Sequence, residues 1–210
     1  MLLKTTDFCL QAGESGNTNK PEGVLQEGAT GTIPMLLAGS TPMPELRTQF
    51  VVAAPRTNRG WSGGEVAQFA AALIGRNELS IDPDRVIITG VSMGGGGTWA
   101  AAETGVFAAA VPVCGAGAPR DPSALKGMGI WAFHGINDMV VPVSYSDQVV
   151  SALKEAGISG VKYERIENAP APVGWPNYDG HASWIPAYQT PGLYTWMLEQ
   201  RRGERREVSQ

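Results

Sequence analysis

The hydrophobic positions of this chain fall into short apolar runs that alternate with longer amphipathic stretches. Six runs bounded by Gly, Pro, Asn or Asp predict strands at 2–10, 50–54, 85–89, 108–113, 130–134 and 161–166. Four stretches predict helices at 64–75, 94–103, 143–155 and 191–201. This alternation predicts an α/β fold with a mostly parallel sheet of about six strands flanked by helices.

Composition narrows the class of protein. The 210 residues contain no repeat or interdomain linker, which predicts one domain over 1–210. The net charge is −4, and the arginines cluster only at 201–206, so a nucleic-acid partner is not expected. No apolar window is long enough for a membrane span, so we expect a soluble protein without a membrane partner, either cytoplasmic or secreted after loss of a leader. Cys9 and Cys114 are expected as buried thiols without a disulfide.

A serine stands between glycines directly after one predicted strand. Residues 90–94 read GVSMG, a match to G-x-S-x-G, in which glycines make room for a strained turn from strand to helix. The pattern alone is weak, but RVIITG before it predicts a strand and GGGGTWAAAETG after it predicts a helix. Ser92 is therefore a candidate nucleophile. The four glycines from Gly94 to Gly97 are poor helix formers, so we expect this helix to pack closely on neighbouring strands.

A serine nucleophile needs a histidine base and an acid that orients the base. His181 lies in the loop before the last predicted helix, and the order serine, acid, histidine favours it over His134, which ends a strand. Asp138 follows that strand by four residues and is the candidate acid, although such an aspartate also commonly caps a turn. Asp147 falls inside a predicted helix, and Asp179 is too near His181 in sequence.

These motifs resemble the bacterial predicted esterase or peptidase branch of the α/β-hydrolase superfamily, near the phospholipase/carboxylesterase and dienelactone hydrolase-like families. The resemblance rests on DPDRVIITGVSMGGGGTW, FAAAVPVCG, IWAFHGINDMVVPVSYSDQVVSALKEAG and GHASWIPAYQTPGLYTWMLEQRR, in the family order. It implies a Ser92, Asp138 and His181 triad that cleaves carboxylic esters, with the Met93 amide as one oxyanion donor.

The chain departs from this family in two places. The family has a His-Gly-Ala-Gly-Glu type loop where this chain reads LQAGE, so the second oxyanion donor would be Ala12 or a neighbour. The first two strands of the family are also absent from the N-terminus, which makes 50–54 the expected edge strand of a shortened sheet. An uncovered edge tends to pair, so a homodimer through this edge is expected.

The substrate is the least determined feature. Trp61, Trp175, Trp184 and Tyr178 are candidate walls of a pocket for a small-molecule ester, although tryptophans are more often core residues. A peptidase or acyltransferase uses the same triad, and the altered loop also allows a catalytically weak binding protein. No cofactor is expected, and no His, Cys, Asp or Glu spacing indicates a metal site.

Overall fold

The computed structural model describes residues 4–10, 21–39, 43–57 and 59–203. Its sheet has six parallel strands in the order β2-β1-β3-β4-β5-β6. The strands are β1 (Lys4–Leu10), β2 (Phe50–Ala53), β3 (Ile81–Val91), β4 (Ala109–Val113), β5 (Gly129–Gly135) and β6 (Val161–Ile166). The predicted α/β fold is therefore confirmed, and among the described strands β2 lies at the edge, as expected.

Side chains of the central strands alternate between two apolar layers, one on each face of the sheet. In β1, Phe8 and Leu10 point into one layer and Cys9 points into the other. In β3, Ile88 belongs to the first layer and Ile87 to the second. Both faces are covered because each parallel connection passes over the sheet, and this explains why the central strands β4 and β5 read as nearly continuous apolar runs.

Helices cover both faces. Those in the described residues are α1 (Ile33–Ala38), α2 (Pro44–Thr48), α3 (Gly63–Ile74), α4 (Met93–Ala102), α5 (Ser144–Glu155), α6 (Trp184–Ala187) and α7 (Leu193–Glu199). The four long helices were predicted within two residues at each end, and the short helices α1, α2 and α6 were not. The last helix begins at Leu193 and not at Pro191, because Gly192 before it has a left-handed φ of 80°. None of the helices in the described ranges has the length and apolar character to cross a membrane.

Strand β3 begins four residues earlier than the sequence predicts. Its first residues include Pro83, which has no N–H for a ladder bond and therefore argues against a strand. The pairing with β1 is irregular at this point, since Lys4 pairs with Ile81 and Thr6 with Val86. The irregularity accommodates the proline, and from Val86 onward the ladder is regular up to the turn after Val91.

An acidic residue lies inside the sheet. Asp7 in β1 is fully buried between the partner positions Val52 in β2 and Ile87 in β3. Neither of its carboxylate oxygens has a hydrogen-bond partner among the described residues. Burial alone raises the pKa of Asp7 to about 7, because the charged form loses its hydration.

Candidate active site

The candidate nucleophile sits on a strained turn between β3 and α4. Ser92 has φ 55° and ψ −119°, a conformation that residues with side chains rarely adopt. The flanking glycines are required by close approach, because a Cβ on Gly90 would overlap the Gly94 carbonyl and a Cβ on Gly94 would overlap the Leu10 carbonyl. The turn is therefore tight on both sides, and it leaves the Ser92 side chain partly exposed at the carboxyl end of the sheet.

The remaining glycines of α4 let the helix approach its surroundings closely. A Cβ on Gly95 would overlap the Val113 carbonyl, one on Gly96 the Ala116 carbonyl, and one on Gly97 the Trp61 ring. Two of these contacts involve β4 or the segment after it, so the predicted close packing is confirmed. Packing therefore compensates for the poor helix propensity of the four glycines.

His181 lies beside Ser92. Its Nε2 atom is 2.9 Å from Ser92 Oγ, and its ring packs edge-on against Trp184 with 5.6 Å between ring centroids. The loop is anchored by backbone bonds on both sides of the ring, from the His181 N–H to the Tyr178 carbonyl and from the Ala182 N–H to the Pro170 carbonyl. The imidazole is therefore held in one place, with its Nε2 facing the serine.

Asp138 lies on the other side of the imidazole. Its Oδ2 atom is 2.9 Å from His181 Nδ1, and its Oδ1 accepts the backbone N–H groups of Val140 and Val141. Burial would raise the pKa of Asp138, but hydrogen bonds from His134, His181 and the Val141 N–H outweigh it and hold this pKa below its usual range. A carboxylate in this state fixes the histidine tautomer with the proton on Nδ1.

Asn137 joins the acid loop to the segment that leads to the histidine, and the sequence did not single it out. Its side-chain amide donates to the Ala169 carbonyl, and its side-chain oxygen accepts the Ala169 N–H. Gly180 packs against the backbone of residues 137 and 138, where a Cβ would clash. These contacts hold the loop of Asp138 against the segment that carries His181. The only signal in the sequence is the position of an amide directly before the acid.

The second histidine is a packed residue at the end of β5. His134 is fully buried, and its Nε2 is 2.8 Å from the Val141 carbonyl and 3.4 Å from Asp138 Oδ2. A carbonyl only accepts, so Nε2 donates to it, and Nδ1 lies 2.7 Å from the Ser146 hydroxyl. His134 thus packs against the acid loop, whereas Ser92 is bonded to His181, as the sequence analysis predicted for a packed strand-end residue.

Two cavities flank Ser92. One, of about 250 Å³, is lined by apolar and aromatic residues together with Ser92 and His181; these include Val140, Pro172, Trp175, Tyr178 and Trp184. The other, of about 450 Å³, adjoins Trp61, Met93 and Val141. All three candidate pocket tryptophans therefore line a cavity that contains the serine. Trp175 is about half exposed, whereas Trp184 is buried and donates its indole N–H to the Thr30 carbonyl.

The two candidate oxyanion donors differ in what the structure shows. Met93 is the first residue of α4, and the N–H groups of a first helical turn have no acceptor within the helix. Its amide therefore lies beside the nucleophile at the positive end of the helix. Ala12 and Gln11 lie outside the described residues. Leu10, which precedes them, is fully buried in the apolar layer next to Phe8 and Val66.

Comparison with known proteins gives solved structures of one fold, while no family model and no curated protein matches the chain. A thermostable esterase is 29% identical with a TM-score of 0.73. A fluorophosphonate-binding serine hydrolase of Staphylococcus aureus is 15% identical with a TM-score of 0.65. An acylaminoacyl peptidase of Pyrococcus horikoshii is 14% identical with a TM-score of 0.62.

The alignments span almost all of this chain. The esterase alignment covers 95% of this chain and 56% of the esterase chain. The corresponding shares are 95% and 86% for the Staphylococcus aureus hydrolase, and 97% and 38% for the peptidase. The chain thus spans about half the length of the esterase structure. The two hydrolases of low identity show the fold alone. The fold of this chain is that of the α/β-hydrolase superfamily.

Proposed function

We propose that this chain cleaves carboxylic esters of short-chain or aryl acids through an acyl-enzyme on Ser92. The observation that carries the proposal is the continuous hydrogen-bonded series from Ser92 through His181 to Asp138, with 2.9 Å at both steps. A serine with a positive φ at the carboxyl end of a parallel sheet is the arrangement in which a hydroxyl is presented to a substrate.

In the acylation step Ser92 Oγ attacks the ester carbonyl carbon while its proton moves to His181 Nε2. The Nδ1–H of the resulting imidazolium donates to Asp138, whose charge stabilises the cation without taking the proton. His181 then protonates the leaving alkoxide, and the ester C–O bond breaks. Water, deprotonated by His181, cleaves the acyl-enzyme and releases the acid with the serine restored.

The negative charge that develops on the carbonyl oxygen needs donors already in position. The Met93 amide supplies one, because it lies at the positive end of α4 and directly follows the nucleophile. The Ala12 amide remains our proposal for the second donor, on the family resemblance alone.

The apolar cavity next to the serine favours a compact acyl group. Engineered apolar cavities of roughly 150 Å³ hold a benzene molecule, so about 250 Å³ accommodates a short aliphatic acyl chain or one aromatic ring. Trp175 and Tyr178 form a pair with ring centroids 5.1 Å apart at its entrance. These exposed rings offer a stacking surface for an aryl ester.

Peptide hydrolysis and acyl transfer use the same triad, and a peptidase is among the structural neighbours. Esters need less protonation of the leaving group than amides, so ester cleavage places the smaller demand on His181. We therefore keep esterase activity as the primary proposal and test amides as competing substrates.

The first experiment removes the nucleophile. Ser92→Ala should lower hydrolysis of p-nitrophenyl acetate by more than about 1000-fold while leaving the circular dichroism spectrum unchanged. Ser151→Ala, on the exposed face of α5, is the matched control and should retain full activity. A fluorophosphonate should label Ser92 only. Retained turnover in Ser92→Ala, or a labelled peptide from elsewhere, would refute the assignment.

A second experiment tests the acyl cavity with acetyl, butyryl, octanoyl and feruloyl esters, together with a p-nitroanilide. Trp175→Ala should lower kcat/KM for the feruloyl ester by about tenfold and change that for the acetyl ester little. Tyr145→Ala is the control, because Tyr145 is equally exposed but lines neither cavity. An equal loss of kcat/KM on both esters would show that Trp175 does not determine acyl selectivity. A preference for the anilide over the esters would favour the peptidase alternative.

A further inference from the structure

A cysteine lies beside the candidate triad although none of the proposed steps uses it. Cys114 directly follows β4, is fully buried, and has a positive φ of 41°. Its sulfur, one ring nitrogen of His181 and one carboxylate oxygen of Asp138 lie within 4.8 Å of one another. Cys114 follows β4, Asp138 follows β5 and His181 precedes α6. These residues are far apart in sequence, so only the tertiary fold brings their donor atoms together.

The three donors are a sulfur, a nitrogen and an oxygen, which is a set that suits zinc. Zinc binds thiolate at about 2.3 Å and imidazole or carboxylate at about 2.0 to 2.2 Å, in tetrahedral geometry. Two ligands of one such ion are then roughly 3.3 to 3.7 Å apart. Donors within 4.8 Å need to move by only about 1 Å to reach these distances. The fourth position is left for water.

We propose that Cys114, Asp138 and His181 form an inhibitory binding site for zinc and other thiophilic divalent cations. Binding of the ion follows from the donor geometry, whereas the inhibition rests on the proposed function. His181 is the donor residue that lines the cavity beside Ser92, so a hydrated ion reaches the imidazole first. The site is distinct from a catalytic metal centre, because the hydrolysis proposed above proceeds without any ion.

An ion bound at either ring nitrogen of His181 prevents this residue from acting as the general base. An ion on Nε2 takes the lone pair that would accept the Ser92 proton. An ion on Nδ1 displaces the proton from that atom to Nε2, which then donates and no longer accepts. In both cases the thiol releases one proton as it becomes a thiolate, and the imidazole keeps its single proton on the nitrogen that the ion does not bind.

Binding is tested with cadmium, whose bond to a thiolate gives a charge-transfer absorption in the near ultraviolet. The full chain and its Cys9→Ser variant should show this band at one ion per chain. Cys114→Ser and Cys114→Ala should lose it. Cys9 is the matched control because it is the other cysteine of the chain and is equally buried. Ser92→Ala keeps all three donors and should show the band, so this readout does not depend on esterase activity.

Inhibition is tested with zinc chloride on p-nitrophenyl acetate hydrolysis, each variant being compared with its own zinc-free rate. Zinc should inhibit the wild type and Cys9→Ser at the same concentration, and a chelator should restore the rate. Cys114→Ser should need at least about tenfold more zinc, which is the smallest loss typical for a disturbed metal site. Equal inhibition of all variants, or a cadmium band that persists in Cys114→Ser, would overturn the proposal.

Discussion

Replacement of the buried Asp7 by asparagine should stabilise the protein, by an amount that depends on pH. The carboxyl group is fully buried, without a hydrogen-bond partner among the described residues, and its pKa is raised from 3.8 to about 7. Folding therefore favours the protonated acid. The cost of ionisation is absent below the unfolded pKa and grows as the pH rises through the interval from about 4 to about 7.

The magnitude follows from the size of this interval. About three pKa units at 1.36 kcal/mol each correspond to about 4 kcal/mol above pH 7, and to about 2 kcal/mol at pH 5. Asp7→Asn removes this pH-dependent cost because the amide does not ionise. The difference in the free energy of unfolding between the variant and the wild type should therefore increase from pH 4 to pH 7 and then stay constant.

Urea unfolding at pH 4, 5, 6, 7 and 8, followed by tryptophan fluorescence, measures this difference. Asp121→Asn is the control of opposite sign: hydrogen bonds from the Ser123 hydroxyl and the Ser123 N–H lower the pKa of Asp121. Above the pKa that Asp121 has in the unfolded chain, its carboxylate stabilises the folded state. Asp121→Asn should therefore not raise the free energy of unfolding at neutral pH. A difference between Asp7→Asn and the wild type that does not vary with pH would refute the reasoning.

Three further predictions concern packing and assembly. Gly95→Ala should destabilise the protein by at least about 1 to 3 kcal/mol in urea unfolding, because the new Cβ meets the Val113 carbonyl, whereas Gly60→Ala has open space and should be neutral. Leu10→His should cost about 3 kcal/mol or more by the same measurement, since it places an imidazole in an apolar layer. We also propose self-association through the edge strand β2, and light scattering that finds only monomer at high micromolar concentration would contradict it.

Within the described residues the sequence predicted the strand ends to within two residues, apart from the start of β3. It placed the start of β3 too late because Pro83 is tolerated only at an irregular pairing, which depends on the partner strand. The short helices α1, α2 and α6 were missed for a related reason. Segments of four to six residues have too little periodicity to distinguish a helix from a loop, and they form because packing orders them.

The residues of the candidate site were predictable where a short stretch of sequence, or the small number of residues of one type, identifies them. The glycines around Ser92 signal the turn, and the two histidines left few alternatives for the base. The position of Cys114 next to Asp138 was not predictable, because no spacing along the chain reports a contact between the ends of different strands. The burial of Asp7 was not predicted. Its run, KTTDFCL, mixes polar and apolar residues as a half-exposed strand would, but β1 lies inside the sheet between β2 and β3.

The four consecutive glycines of α4 have a consequence for the order in which the protein folds. Relative to alanine they disfavour a helix by about 1 kcal/mol each, or about 4 kcal/mol together. Contacts with α3 and with β1, β3 and β4 must supply this energy, so we expect α4 to form only once these elements have assembled. The turn that carries Ser92 is then completed late, and a partly folded chain would not yet hold Ser92 Oγ beside His181.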